Sequence, residues 1–125
     1  DVVKVGELVE LRIMVKVYSG LNSLVFGYGI KDRLGQVLYG TNTWHTGHVL
    51  RDVVEGDIFQ FSFRFPVNLG VGGYSIQTAL VDGDTHLCAN YDWRDMALVF
   101  DVINAAHYKF AGSLWLEPDI EIKRQ

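Results

Sequence analysis

The stretch Phe59-Gln60-Phe61-Ser62-Phe63-Arg64-Phe65 decides the fold class, because a phenylalanine stands at every second position. In a β-strand these rings lie on one face, whereas a helix would scatter them around its axis. The segment 9–17 alternates in the same way, and its apolar residues are Val9, Leu11, Ile13, Val15 and Val17. Both stretches therefore predict half-buried strands that turn one face toward a core.

Turn signals divide much of the remaining chain into further short strands. Lys31-Asp32-Arg33-Leu34-Gly35 separates two strand-like runs and predicts a hairpin. Asp82-Gly83-Asp84 carries the Asp-Gly pair of a hairpin turn, between strands predicted over 74–81 and 85–91.

The last strands are predicted over 96–103 and 113–123. Because Pro118 has no amide hydrogen to donate, the second of these predicts an edge, a bend or a departure from the sheet. No segment has a helical period of useful length. The pattern predicts an all-β fold, an antiparallel immunoglobulin-like or jelly-roll β-sandwich of about eight strands. The length suits one hydrophobic core, so residues 1–125 are expected to form a single domain.

Charge and composition exclude several classes of protein. A net charge of −4 lacks the basic footprint that nucleic acid or an anionic membrane requires. The single cysteine, Cys88, has no partner for a disulfide within the chain. No apolar run approaches the roughly 20 residues of a transmembrane helix. The chain begins at Asp1 rather than Met, so we expect it to be a piece of a longer protein.

Two polar stretches interrupt the strand pattern and are predicted to be loops. Residues 41–57 form a long polar segment, and residues 90–95 place two aromatic side chains among polar ones. Loops of that length in a small sandwich are uncommon and often carry function.

Motifs for nucleotide and metal chemistry are incomplete. Gly35 and Gly40 have the spacing of a phosphate-binding loop, but Thr41 stands where the phosphate-binding lysine is needed. His45, His48, His86 and Cys88 make a zinc site conceivable. Zinc sites usually have a second pair of ligands at a recognisable spacing, and the sequence has none. A calcium loop is conceivable from Asp82, Asp84 and Asp92, although the turn alone explains the Asp-Gly-Asp sequence. We expect no metal and no cofactor.

Catalytic patterns are equally sparse. There is no Gly-x-Ser-x-Gly elbow, and Cys88 lies in a strand-like run, where a thiol is expected to be inert. Asp92, Asp95 and Asp101 supply carboxylates for a glycosidase, but such residues occur on most protein surfaces. The domain is predicted not to be an enzyme.

Surplus aromatic and planar polar side chains favour sugar binding. An aromatic face covers the C–H face of a sugar ring, while amide and charged groups bond to its hydroxyls. The candidate platforms are Tyr39, Trp44, Tyr91 and Trp93, whereas Trp115 is predicted to belong to the packing of the last strand. The polar residues Gln60, Arg64, Ser75 and Gln77 are predicted to point away from the core, on strands that could be neighbours lining an open sheet face.

A family resemblance strengthens this interpretation. The segments that carry it are Phe26-Gly27-Tyr28-Gly29-Ile30-Lys31-Asp32, Gly35, Gly40-Thr41-Asn42-Thr43, Glu55-Gly56-Asp57, Gly73-Tyr74-Ser75-Ile76, Ala79-Leu80-Val81-Asp82, Phe100-Asp101-Val102 and Gly112. In this order and spacing they make almost the whole chain resemble the C-terminal domain of Wzt-type proteins, the nucleotide-binding subunits of ABC transporters that export O-antigen polysaccharide.

The resemblance implies an immunoglobulin-like sandwich that binds the non-reducing end of the polysaccharide, so that only finished chains are exported. It implies an ATPase domain elsewhere in the parent protein, a membrane subunit as partner, a location at the cytoplasmic side of the inner membrane, and a homodimer. The C-terminal strand after Pro118 is expected to be exchanged between protomers. The Gly40-Thr41-Asn42-Thr43 segment is expected to hold the start of the long loop.

The resemblance does not assign the sugar contacts, so we expect them outside the shared framework. The candidate carbohydrate-binding residues are Trp44, His45, Gln60, Arg64, Gln77, Tyr91 and Trp93. Arg64 and His45 are candidates for pairing with an anionic terminal group such as phosphate. Two alternatives stay open: a protein-interaction sandwich of the adhesin or chaperone kind that uses a strand edge, and a subunit of a polysaccharide-modifying enzyme.

Overall fold

The fold is an all-β sandwich, as predicted, and its described residues form eight strands. In this computed structural model the backbone is described for residues 1–82 and 90–125, and the side chains for residues 1–82 and 97–125. The strands are β1 (Val2–Lys4), β2 (Leu8–Lys16), β3 (Leu21–Lys31), β4 (Val37–Asn42), β5 (Leu50–Val53), β6 (Ile58–Pro66), β7 (Gly72–Val81) and β8 (Asn90–Ile103).

The two sheets differ in width. The large sheet has the order β1-β8-β7-β3-β4, and β5 pairs with β3 beside β4. In the described part of the chain the small sheet consists of β2 and β6, paired antiparallel from Leu8↔Pro66 to Lys16↔Ile58. Among the described strand pairs, β1 with β8 is the one parallel pair. Because the small sheet covers only the middle of the large one, the sandwich is open on both sides.

The core lies where the alternating phenylalanines of β6 meet β3. Phe61 and Phe63 stack on Phe26, with ring centroids 4.9 and 5.6 Å apart. Phe63 and Phe65 also contact Tyr28. The prediction that these rings share the core-facing side of a half-buried strand is confirmed, with Phe61 buried and the other three partly buried. The Lys31-to-Gly35 hairpin is confirmed as the β3–β4 turn, where the Asp32 carboxylate accepts the amides of Leu34 and Gln36.

The prediction of a loop at 90–95 is wrong. Those residues belong to β8, which also contains the strand predicted over 96–103. The backbone register Thr78↔Arg94 and Ala79↔Trp93 shows that pairing with β7 continues through this polar segment, after an irregularity next to Ile76. Cross-strand hydrogen bonding therefore outweighs local polarity here. The predicted Asp-Gly-Asp turn after Asp82, and most of the strand predicted over 85–91, lie outside the described residues.

The long loop predicted over 41–57 is shorter than expected, because β4 extends to Asn42 and β5 pairs with β3. The strand predicted over 113–123 is also not formed. Within residues 1–82 and 90–125, its one ladder contact is the isolated bridge Leu69↔Leu114. Pro118 interrupts any longer pairing, so the final residues leave the sheet.

Trp115 is buried, as the packing interpretation predicted, but it packs differently from the expectation. The last strand to which it was assigned does not form, and its ring lies against His107, Tyr108 and Phe110 at centroid distances of 4.5 to 5.0 Å. Its amide donates to the Asn68 carbonyl at 3.0 Å. This contact fastens the segment 104–115 over one end of the sandwich.

Candidate functional site

The loop after β4 is held rigidly by its own side chains. The Asn42 carboxamide oxygen accepts the His45 amide at 2.8 Å, and the Thr43 hydroxyl accepts the Phe26 amide at 3.0 Å. Thr43 also donates its amide to the Phe26 carbonyl, and His48 donates its amide to the Thr43 carbonyl. The expectation that the Gly-Thr-Asn-Thr segment anchors the loop is thus confirmed for Asn42 and Thr43.

A cleft of about 340 Å³ opens between this loop and β6, and we call it the side cleft. It exists because β6 pairs only with β2 among the described strands, so the space beside its other edge is uncovered. Its lining residues are Thr43, Thr46, His48, Leu50, Phe59, Gln60, Phe61, Ser62 and Phe63. Aromatic rings form its wall and hydroxyl, amide and imidazole groups form its rim.

The polar rim is ordered by contacts among its own members. His48 Nδ1 and Thr46 Oγ1 lie 2.9 Å apart, and Gln60 Nε2 donates to Ser62 Oγ at 3.3 Å. A wall of phenyl rings beside such hydrogen-bonding groups matches the apolar C–H face and hydroxyl fringe of a sugar.

The structure brings three of the predicted site residues to this side of the sandwich. Gln60 lies on the rim. Trp44 and His45 belong to the loop whose residues Thr43, Thr46 and His48 line the opposite side of the cleft. Trp44 is 43% exposed, so its indole can meet a ligand. The structure does not describe the side chains of Tyr91 and Trp93, so these two stay predictions.

The other two predicted residues lie elsewhere. Arg64 is farther along β6, and Gln77 is on the outer face of the large sheet, where it covers Gly29. The idea that the strands of Gln60 and Gln77 are neighbours is wrong, because β6 pairs with β2 while β7 pairs with β3 and β8. Ser75, also expected on an open face, is buried. Non-local strand order was not readable from local alternation.

Arg64 has a partner within the chain. Its guanidinium lies 3.1 Å from Glu10, which also accepts a hydrogen bond from Arg12 at 2.8 Å. The pKa of the Glu10 carboxyl is lowered, chiefly by the hydrogen bond from Arg12 and to a smaller extent by Ser62 and Arg64. The ionised Glu10 carboxylate therefore stabilises the folded state at a pH above the ordinary glutamate pKa, and this stabilisation is lost as the pH falls through the lowered pKa. An anionic ligand at Arg64 would have to compete with this carboxylate.

Sequence reasoning missed several residues of the side cleft. Phe59 and Phe63 were assigned to the core alone, and His48 was considered only as a metal ligand. Ser62 lies on the same outward face of the alternating stretch as Gln60, which was the available signal. Within residues 1–82 and 97–125, no three His, Cys, Asp or Glu residues stand close enough to hold a metal.

A second opening lies on the other side of the sandwich, between β2 and β8, and we call it the apolar slot. It measures about 350 Å³. Its lining residues are Asp1, Val2, Val3, Val9, Glu10, Leu11, Phe65, Val67, Ile76, Leu98 and Phe100. Like the side cleft, the apolar slot is mostly apolar, and Asp1 and Glu10 are its charged lining residues.

The fold is an all-β sandwich with an open cleft beside the free edge of β6. The family model of the Wzt C-terminal domain matches residues 1–116, so the chain belongs to the Wzt C-terminal domain family, a non-catalytic domain of an ABC transporter subunit.

The fold comparison agrees with this assignment. A crystal structure of the C-terminal domain of wzt superposes with a TM-score of 0.80 at 23% identity, covering 96% of this chain and 72% of that one. No curated protein sequence matches the chain significantly. The described residues contain no helix long and apolar enough to cross a membrane.

Proposed function

We propose that this domain is a non-catalytic carbohydrate-binding module that recognises the non-reducing end of an O-antigen polysaccharide and confers substrate specificity on an ABC exporter. The observation that carries the proposal is the side cleft, with phenyl rings on its wall and Thr46, His48, Gln60 and Ser62 on its rim, in a Wzt C-terminal domain. Its volume is near the lower end of the about 300–1,000 Å³ of ligand pockets, which suits the end of a chain.

In this proposal residues 1–125 are one domain of a longer protein whose ATPase domain lies outside them. The ATPase domain and the membrane subunit of the transporter are its partners, at the cytoplasmic side of the inner membrane. Nucleic acid is not a partner, because a net charge of −4 opposes it. The bound sugar rests against the Phe59 and Phe63 rings while Trp44 and His45 approach from the loop.

The rim amide gives the first test. We expect Gln60→Ala to weaken binding of the O-polysaccharide from the source strain by about 3- to 10-fold, the loss of one neutral hydrogen bond. Tryptophan fluorescence titration measures the affinity. The matched control is Gln36→Ala, since Gln36 is exposed in the β3–β4 turn away from the cleft. Equal affinity of both variants would remove Gln60 from the site, and no binding by the wild type would contradict the proposed function.

The dimer proposal rests on the apolar slot and the C-terminal tail. Ile120 and Ile122 are 70% and 89% exposed and alternate with Asp119, Glu121 and Lys123. This is the period of a half-buried strand without a partner. The tail follows Trp115, which is tied to Asn68 beside the slot-lining Val67. We propose that the tail of one protomer adds to a free strand edge at the partner's slot, with its isoleucines turned inward.

Removing residues 119–125 is therefore expected to convert a dimer to a monomer. Sedimentation at tens of micromolar measures this, with Lys123→Ala as the control that keeps both isoleucines. A wild-type monomer at that concentration would refute the exchanged strand. A dimer that survives the truncation would place the interface elsewhere.

The same slot favours the alternative of a protein-interaction sandwich, because free strand edges beside an apolar groove can accept a foreign strand. The O-polysaccharide titration distinguishes the carbohydrate-binding function from the protein-interaction function. A folded, dimeric domain that binds no glycan would favour the protein-interaction function.

A further inference from the structure

The side cleft is lined by apolar and uncharged polar side chains. Among its described lining residues His48 is the one titratable side chain, and the wall is made of Leu50 and the phenylalanine rings of β6. A charged group that enters such a wall loses water and gains no opposite charge, which makes its burial costly. The lining therefore favours an uncharged group on the ligand.

Neither residue that was predicted to pair with an anionic end group lines the cleft. Arg64 lies farther along β6, where its guanidinium is 3.1 Å from the Glu10 carboxylate. His45 is exposed in the loop after β4. In the described lining, an end group that carries phosphate or a carboxylate would therefore find only His48 as a source of positive charge.

The polar groups of the rim are partly occupied by one another. His48 Nδ1 lies 2.9 Å from Thr46 Oγ1, and Gln60 Nε2 donates to Ser62 Oγ at 3.3 Å. The Thr43 hydroxyl accepts the Phe26 amide. The rim therefore has few groups left for sugar hydroxyls, and the cleft suits a sugar that carries fewer of them.

We propose that the side cleft accepts an uncharged 6-deoxy sugar at the end of the glycan, with its methyl group against Leu50 and the phenyl rings. In a 6-deoxy sugar a methyl group replaces the hydroxymethyl group, so its burial leaves no hydroxyl without a partner. Burial of one methyl group favours binding by about fourfold. The inference rests on the proposed function, because it names the end sugar for the same cleft.

Salt and an added charge test whether the bound end is uncharged. The probe is the O-polysaccharide of the source strain, titrated calorimetrically into the wild type at low and high NaCl. Because salt screens charge pairs, we expect the dissociation constant to change by less than about twofold between about 0.05 and 1 M NaCl. Gln60→Lys places a cation on the rim and is expected to bind no more tightly than the wild type. Gln36→Lys is the matched control, with the same charge in the β3–β4 turn.

Analysis of the end sugar tests the methyl group. Mass spectrometry of the residue released from the non-reducing end of the same polysaccharide is expected to identify a 6-deoxy sugar. A charged end sugar, or one that keeps its hydroxymethyl group, would overturn the inference alone. A larger loss of affinity in high salt, or tighter binding by Gln60→Lys, would do the same. A wild type that binds the polysaccharide at neither salt concentration would overturn the proposed function and this inference together.

Discussion

Phe26→Ala is expected to lower the free energy of unfolding by about 3–5 kcal/mol. Phe26 is 1% exposed and stacks on Phe61 and Phe63, so its ring joins the large sheet to the small one. Two described strands form the small sheet, which depends on such contacts to stay in place. Truncation removes the transfer free energy of the ring and leaves a cavity that the surrounding strands fill only in part.

Urea unfolding followed by circular dichroism measures this loss. The matched control is Tyr18→Ala, because Tyr18 is 76% exposed and its removal should change stability by less than about 0.5 kcal/mol. A loss below about 1 kcal/mol for Phe26→Ala would contradict the packing of the two sheets through this ring.

Gly70→Ala is the second substitution with a large expected effect. A Cβ at Gly70 would collide with the backbone carbonyl oxygen of Gly112, and neither atom can rotate away, because the Cβ is bonded directly to the Gly70 Cα. The same crossing is held by the Gly70 amide, which donates to the Ser113 carbonyl at 2.9 Å. Overpacking of this kind costs about 1–3 kcal/mol or more, and the segment around Trp115 is expected to detach from the sandwich.

Amide hydrogen exchange of Trp115, together with urea unfolding, reads out the detachment. The Trp115 amide should lose protection, because its acceptor is the Asn68 carbonyl beside the displaced crossing. Gly40→Ala is the control, since its new Cβ meets only ordinary contacts. Unchanged protection and stability in Gly70→Ala would show that the two segments do not cross as described.

Local alternation was sufficient to predict most of the strands. The four phenylalanines of β6 and the apolar residues of β2 had one possible orientation each, because a shift by one residue would expose them all. The β3–β4 hairpin was predictable because its turn residues have local causes, with Asp32 accepting two amides of the turn.

Features that depend on distant partners could not be predicted. The polar residues 90–95 continue a strand because β7 lies beside them, and 113–123 lack a strand because no described strand pairs with them beyond one bridge. The number of strands in each sheet also depends on residues that are distant in sequence. Nothing in the composition of β6 indicates that only β2 would pair with it.

Because strand pairing could not be predicted, the candidate site could be predicted only in part. Trp44, His45 and Gln60 were identified by residue type; Gln60 lines the side cleft, while Trp44 and His45 belong to the adjoining loop and are not among the lining residues. Phe59 and Phe63 were missed as wall residues because an uncovered strand edge exposes inward-facing rings. Gln77 was chosen by the same chemistry as Gln60, yet the two lie on different sheets.

The most direct test of the central claim is a nuclear magnetic resonance titration of the ¹⁵N-labelled domain. The ligand is the O-polysaccharide of the source strain, compared with the same glycan after removal of its non-reducing end. We expect the intact chain to shift the amide signals of residues 43–48 and 60–62, around the side cleft, and the trimmed chain to leave them in place. Equal shifts with both glycans, or none with either, would contradict recognition of the chain end.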